Sequence, residues 1–304
     1  MAVASSASTQ QIPLDDVVLV DQQRTEPPQR RWSIPQLGLY LALFALSAAF
    51  SIPFIWLIMT SLKPPEEVFD PNWIPSSIHY QNYTYIFDNA PMWRWLLNTF
   101  IVTILAVVSV VLSSSLVAYG FARLRFRGRK QLFALVMATY LLPGSVTLIP
   151  TFLIWNELGA VNTFFPLWAG NLFGSAFYIF MLRQFLFTIP QDLMDAARLD
   201  GASYFRIYWH IMLPLIRPAL VAVAIFEFDA KWNDFMTALI YLNRPELYTV
   251  SLGLATFKTD FQELGSQWSL LMAGSVIVTV PMVILFFVFQ RYFMEGIAST
   301  GIKG

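Results

Sequence analysis

Charged side chains inside an apolar stretch are the first chemistry this sequence offers. Between Pro218 and Tyr241 it carries Glu227, Asp229, Lys231 and Asp234, with Trp232 and Asn233 among them. On a helix starting at Pro218, Glu227 stands about 14 Å along the axis, near the middle of a hydrocarbon layer about 30 Å thick. An ionisable group there is costly and normally faces a bundle interior or a watery path. Lys231 follows Glu227 by four residues and precedes Asp234 by three, so one ammonium can reach both carboxylates. Asp229 lacks that spacing, and the group keeps a surplus of two negative charges. Two readings fit: a solute pathway, in which Trp232 stacks on a hydroxyl-rich solute and Asn233 hydrogen-bonds it, or a locally neutralised ion pair. Asn98, Asn171 and Tyr178 are further polar side chains in apolar stretches. For them a bond to a neighbouring helix, roughly 1 kcal/mol, is as good an account as contact with a solute.

A second block, Pro190 to Pro218, is polar throughout and lies between two strongly apolar stretches. Pro190 cannot donate a backbone N–H and should end the preceding helix, while Asp192 and Asp195 suit the positive end of a new one. The pattern predicts a short helix from about Gln191 to Leu199. Gly201 stands where a left-handed cap needs a residue without Cβ, and Ser203 can cap a following helix. On that second helix Arg206 and His210 share a face, Phe205, Tyr208, Trp209 and Met212 pack elsewhere, and Pro214 and Pro218 close the element. Small side chains at Ala196, Ala197 and Ala202 would let a partner approach closely. The competing account is an interfacial amphipathic helix packed under its own bundle.

Other chemistries are excluded. The chain has no cysteine, hence no disulfide and no thiolate ligand. Its two histidines, His79 and His210, fall on opposite sides of the membrane in the topology below, which argues against a histidine metal site. No stretch has the glycine, four residues, glycine, lysine and Ser/Thr pattern that cradles phosphates, so ATP should be bound elsewhere. A secondary transporter using the carboxylates near Glu227 as proton or cation sites, or a membrane enzyme working with Asp and Glu, would need no cytosolic helix, hinge and helix like the 190–217 block.

These residues are positioned by membrane helices. Hydrophobic residues make up 57% of the chain and charged ones only 12%, with mean hydropathy +0.57, against about 25% charge in soluble domains. Charge-free stretches of spanning length lie between Arg31 and Lys63, Arg94 and Arg123, Lys130 and Glu157, Glu157 and Arg183, and Glu263 and Arg291. With the stretch from Pro218 to about Tyr241, six spans are expected. Placing both termini in the cytosol leaves only Lys63, Arg94, Lys231, Arg244 and Lys258, of nineteen basic residues, outside the inner segments. The positive-inside bias thus puts the 190–217 loop in the cytosol. Trp32, Trp56, Trp93, Trp95, Trp155 and Trp268 lie near span ends, as interfacial anchors do. The Pro-rich segment from Lys63 to Pro91 reads as an ordered external loop or short strand-like surface. Residues 1–34 read as a disordered cytosolic tail, 35–93 as the first span and external loop, 94–293 as the core, and 294–304 as a cytosolic tail.

Asp195-Ala196-Ala197 followed by Asp200-Gly201-Ala202 resembles the EAA loop of ABC-importer permeases, the socket for a cytosolic ATPase. The resemblance runs from about residue 35 to the C-terminus. It includes Asn98-Thr99, Leu142-Pro143-Gly144, Ile149-Pro150, Leu158-Gly159, Asn162-Thr163, Leu182-Arg183-Gln184 and Trp232-Asn233-Asp234-Phe235, as in the carbohydrate-uptake, maltose-transporter-type branch. Asp195 replaces the more usual Glu, keeping the charge on a shorter arm. The resemblance implies an all-α ABC type-1 transmembrane domain in a prokaryotic inner membrane, with a cytosolic coupling helix. Asp195, Ala196, Ala197, Asp200, Gly201, Ala202 and Arg206 would then be the ATPase contact. It also implies a homologous second permease, two ATPase subunits carrying the ATP and Mg, an extracytoplasmic solute-binding protein, and a C-terminal tail able to reach between the ATPases. No nucleic acid and no cofactor on this chain are expected.

Overall fold

The structure, a computed structural model, describes residues 34–261 and 268–301. The 1–33 tail, with Trp32, and the last three residues lie outside that range. Every regular element among the described residues is helical. By contacts the chain divides after Ile52. The first unit contains the start of α1 (Ile34–Ser61), an unbroken apolar helix. The second unit runs from Pro53 onward and holds the remaining elements.

Helix α3 (Met92–Arg123) is the spine of this second unit, packing along α7 (Ala176–Thr188) and α11 (Arg217–Trp232). Its buried residues include Asn98, Val102, Ala106, Val110, Ser114 and Ala118, which recur every four positions as an inward stripe should. Among the described residues four segments are long and apolar enough to cross a membrane: Leu37–Ser61, Met92–Arg123, Phe165–Thr188 and Trp268–Gln290. Two more candidate spans are bent pairs. One is α4 (Arg129–Tyr140) with α5 (Gly144–Glu157), at 98°, and the other joins Tyr204–Leu215 to α11 at 77°.

Several expectations are corrected here. The third span is not continuous: it breaks at Leu141–Pro143, where a proline restrains the residue before it and cannot donate a backbone bond. The stretch expected to continue to Tyr241 ends at Trp232, and α12 (Met236–Tyr241) restarts after Asp234 Oδ1 accepts the Thr237 N–H at 3.0 Å. Trp95 is not an interfacial anchor; it is buried, and its Nε1 donates to the Pro245 carbonyl at 2.9 Å. The tail expected at 294–304 is helical as far as Gly301, within α14 (Trp268–Gly301).

The segment after α1 is an ordered loop with a 3₁₀ turn at Pro65–Glu67 and no strand, and it leads into a helix, α2 (Gln81–Asn89). Asn82, Ile86 and Ala90, four apart, turn inward, and Ile86 joins Met92, Trp95, Val250, Leu254 and Ala273 in a small apolar core. That core places α2 against α14 and α3, which also pack against α13 (Val250–Phe261). Before α2, Ser76 donates its backbone N–H, at 3.0 Å, and its hydroxyl to the two Glu67 carboxylate oxygens. These bonds hold the Glu67 carboxyl below its ordinary range, so whatever stability they lend the loop is present at neutral pH and is lost as pH falls through that lowered value.

Candidate functional site

The 190–217 loop is built by local rules. Helix α8 (Asp192–Leu199) begins with Asp192 and Asp195 in its first turn. It ends in a Schellman cap, with Gly201 N–H donating to the Arg198 carbonyl at 3.0 Å and Ala202 N–H to the Ala197 carbonyl at 3.0 Å. Gly201 takes φ +79°, a conformation that side chains with a Cβ avoid. Ser203 Oγ then accepts the Arg206 N–H at 3.3 Å and caps α9 (Tyr204–Ile207). From Tyr208 to Met212 the helix widens to a π-turn, with Leu213 N–H reaching back to the Tyr208 carbonyl. The widening comes just before α10 (Leu213–Leu215), whose Pro214 cannot continue regular hydrogen bonding. The extra residue also shifts the helix face. Tyr208 and Met212 turn inward, while Phe205 and Trp209, rings stacked at 17°, join Arg206 and His210 around a shallow depression of about 380 Å³. The expected separation of these aromatics from the Arg206–His210 face therefore does not occur.

The loop has two faces. Met194, Ala197, Ile207, Tyr208 and Met212 enter the same core as Ala118, Tyr119, Leu182 and Leu186. Asp195, Ala196, Asp200, Gly201 and Arg206 face solvent, Ala202 is half-buried, and Leu199 is 90% exposed. Ala197 alone of the sequence-derived set is buried in the chain's own bundle.

What holds this loop was missed by the sequence reading. Ser115, Tyr119 and Arg123, each four apart, form one face at the end of α3. The Ser115 and Tyr208 hydroxyls bond at 2.8 Å, and the Tyr119 hydroxyl donates to the Tyr204 carbonyl at 3.0 Å. Arg123 donates to Gln191 Oε1 at 2.8 Å, to the Ile189 carbonyl at 2.6 Å and to the Leu186 carbonyl. Its guanidinium thus caps the C-terminus of α7 and grips the entry to α8, where a cation is favoured by the helix dipole. The available signal was a polar residue at every fourth position of an apolar helix; counting Arg123 only as an inner charge passed over it.

Deeper in the bundle, Asn171, Tyr178 and Glu227 come together from three elements. Asn171 lies in a 3₁₀ segment (Ala169–Phe173) following α6 (Phe165–Trp168). Its Nδ2 donates to Glu227 Oε1 at 2.5 Å and to the Ala106 carbonyl at 3.3 Å, and the buried Tyr178 side chain neighbours the same carboxylate. Irregular backbone at membrane depth must have its polar groups satisfied by protein. Here α3 does this: Ser113 Oγ donates to the Asn171 carbonyl at 2.8 Å, and Ser114 Oγ accepts the Ser175 N–H at 3.0 Å. Between them Gly174, at φ +79°, leaves little room for a Cβ, which would lie 3.2 Å from Ser114 Oγ and from Ile179 Cδ1.

The other sequence-derived candidates are placed elsewhere. Lys231 pairs with Asp234 at 3.6 Å, so the ion pair expected to include Glu227 does not form as drawn. Asp229 is exposed and accepts from Asn233 Nδ2 at 2.9 Å. Trp232 is buried, stacked on Phe228 at 10°, and donates Nε1 to the Val278 carbonyl of α14 at 3.0 Å. Asn98 commits its Nδ2 to the Glu246 and Tyr248 carbonyls at 2.9 and 3.0 Å. Among the described residues no cluster of three or more His, Asp or Glu could hold a metal.

The family model described as "Binding-protein-dependent transport system inner membrane component" matches residues 93–298. The arabinooligosaccharides transport system permease protein AraQ of Halalkalibacterium halodurans is 36% identical, over 88% of this chain and 96% of the relative. The melibiose/raffinose/stachyose import permease protein MelC of Bacillus subtilis is 30% identical, over 85% and 94%. Among solved structures, a chain of a bacterial ABC transporter involved in importing the acidic polysaccharide alginate superposes with TM-score 0.73. It is 25% identical, with 84% of this chain and 94% of that chain covered.

Proposed function

The chain belongs to the family of inner-membrane components of binding-protein-dependent transport systems, and on that premise we propose that it is half of the translocation pathway for an oligosaccharide or other sugar-like solute. The names of the curated relatives support the cargo class, since arabinooligosaccharides and the melibiose, raffinose and stachyose group are all hydroxyl-rich glycosides. ATP hydrolysis then belongs to two separate ATPase subunits, which hold the ATP and Mg. The other half of the pathway is a homologous permease, and an extracytoplasmic binding protein delivers the solute. Both termini lie in the cytosol.

One observation carries the coupling assignment: a helix, a left-handed glycine and a helix, clamped to α3 on one face and bare on the other. The bare face, with Asp195, Ala196, Asp200, Gly201 and Arg206, is the ATPase contact. The buried face ties movement of that contact to α3, which also carries the Asn171–Glu227–Tyr178 cluster. In this reading the cluster and the exposed Asp229–Asn233 pair lie along the solute's route. Trp232 and Asn98 support its walls through the helix contacts described above.

The test is Gly201→Val in the complete transporter reconstituted in liposomes. A β-branched residue at φ +79° costs about 1–2 kcal/mol and distorts the cap. The chain is expected to insert and assemble normally while solute-stimulated ATP hydrolysis and uptake are both lost. Uptake that persists and follows a proton gradient would instead establish the secondary-transporter reading.

A further inference from the structure

The loop between α1 and α2 carries large apolar side chains that its own fold does not cover. Phe69 is 72% exposed, Trp73 51%, Ile74 78% and Ile78 70%. They are not the product of a floppy segment. Lys63, itself buried, donates Nζ to the Asp70 carbonyl at 3.2 Å, and Glu67 is bonded twice by Ser76. The two ends meet where His79 N–H donates to the Leu62 carbonyl at 2.9 Å. Asn82 Nδ2 fastens the base, donating to the Ser61 and Lys63 carbonyls at 2.9 and 3.0 Å. A closed and braced loop therefore presents an apolar tip, and something apolar must meet it.

The loop's place in the fold says what that is. It leaves the α1 span at that span's last residue, Ser61, and returns to the adjacent Leu62, so its base sits at the membrane face. Phe69 packs edge-on against Trp268, ring centroids 6.2 Å apart, and Trp268 opens the apolar span of α14. The patch is thus continuous with the outer ends of two membrane-crossing segments, at the level where aromatic side chains favour the headgroup layer. Exposed Glu66 and Asp70 flank the tip and oppose deeper burial in hydrocarbon. We propose that the 67–78 loop is a membrane-interface finger, with Phe69, Trp73, Ile74 and Ile78 seated in the outer leaflet at the boundary of headgroups and acyl chains. The finger fixes the outer end of α1 relative to the bilayer. It depends on the chain's placement in a membrane and is independent of the cargo.

The absence of native cysteines makes the test direct. Ile74→Cys and, on the exposed face of α2, Asp88→Cys are each spin-labelled in the assembled transporter, in nanodiscs of phosphatidylethanolamine and phosphatidylglycerol. The label at 74 is expected to collide with oxygen more than with a water-soluble nickel chelate, and the label at 88 to show the reverse. A label at 74 that the nickel chelate reaches freely in the bilayer overturns the proposal. If that label becomes shielded only when the binding protein is added, the patch is a protein-docking surface instead. Native Trp73 gives a second readout without a label: lipids brominated on the upper acyl chain should quench a fluorescence component that Trp73→Phe removes. Reaction of Asp88→Cys with an impermeant thiol reagent from outside reports topology separately, so an inverted chain is distinguishable from a finger that does not insert.

Discussion

The 190–217 loop and the buried Asn171–Glu227–Tyr178 cluster are fastened to the same helix, yet they are held by opposite means. The loop takes its shape from neighbours in sequence: Asp192 and Asp195 at a helix start, Gly201 at a Schellman cap, Ser203 at an N-cap. Only its attachment, through Ser115, Tyr119 and Arg123, is long-range. In the cluster nothing is local: three polar groups from three elements meet across 56 residues of chain. A segment shaped locally can move as a unit when its attachment moves. A cluster shaped only by tertiary contacts depends on the bundle around it, which suits a part that must respond to rearrangement of the pathway.

The largest effect is expected where the most extensive of the loop's three long-range attachments is removed. Arg123→Met keeps the length of the side chain but abandons the Gln191, Ile189 and Leu186 acceptors, and hydrogen bonds to a charged group are worth about 1.5–3 kcal/mol each. ATP hydrolysis should lose its dependence on solute while secondary structure by circular dichroism stays near native. If coupling survives intact, α3 does not carry the loop, and the comparison between the two regions collapses to two unrelated polar sites.

The same contrast decides what could be read from the sequence. Asp192, Gly201, Ser203 and Pro214 act within a few residues, so the helix, hinge and helix were legible, and so was the all-helical membrane architecture that the apolar stretches demand. The break at Leu141–Pro143 was also written locally, in the proline, but a count of charge-free residues passed over it. Glu227 shows the other limit. Helical spacing favoured Lys231, a local partner, whereas the structure gives Lys231 to Asp234 and brings Glu227 to Asn171. No spacing rule connects residues 171 and 227. The burial of Trp95 and the bonds of Asn98 to the 246–248 carbonyls depend likewise on packing between distant elements.

Glu227 supplies the second perturbation, of intermediate size. Glu227→Ala leaves the Asn171 amide and the Tyr178 hydroxyl facing a small apolar gap, at a cost of about 1–3 kcal/mol for an orphaned buried group. Glu227→Gln retains a carbonyl acceptor for Asn171 at nearly unchanged volume. Thermal stability of the detergent-solubilised complex should therefore fall in the alanine variant and be largely kept in the glutamine variant. Transport then sharpens the assignment: altered uptake in a stable, assembled Glu227→Gln complex places the carboxylate's charge on the solute's route. Normal uptake there makes the cluster a structural clasp between α7, α11 and the 169–173 segment.

The smallest effect should come from the most local contact. Ser203→Ala removes the side-chain cap on the Arg206 N–H but leaves the Tyr119, Ser115 and Arg123 attachments in place, so the cost is that of one cap, about 1 kcal/mol. Because the α9 backbone is exposed at its start, water can replace the lost acceptor, and the coupled ATPase rate should drop only modestly. Amide exchange at Arg206 and its neighbours should nonetheless quicken, since the first turn frays without its cap. Ser203→Asp, which restores an acceptor and adds favourable charge at the helix start, should return exchange toward the native rate. A loss of coupling in Ser203→Ala as severe as in Arg123→Met would mean that the loop's internal shape, rather than its grip on α3, limits transmission. The locally encoded region would then be the sensitive one.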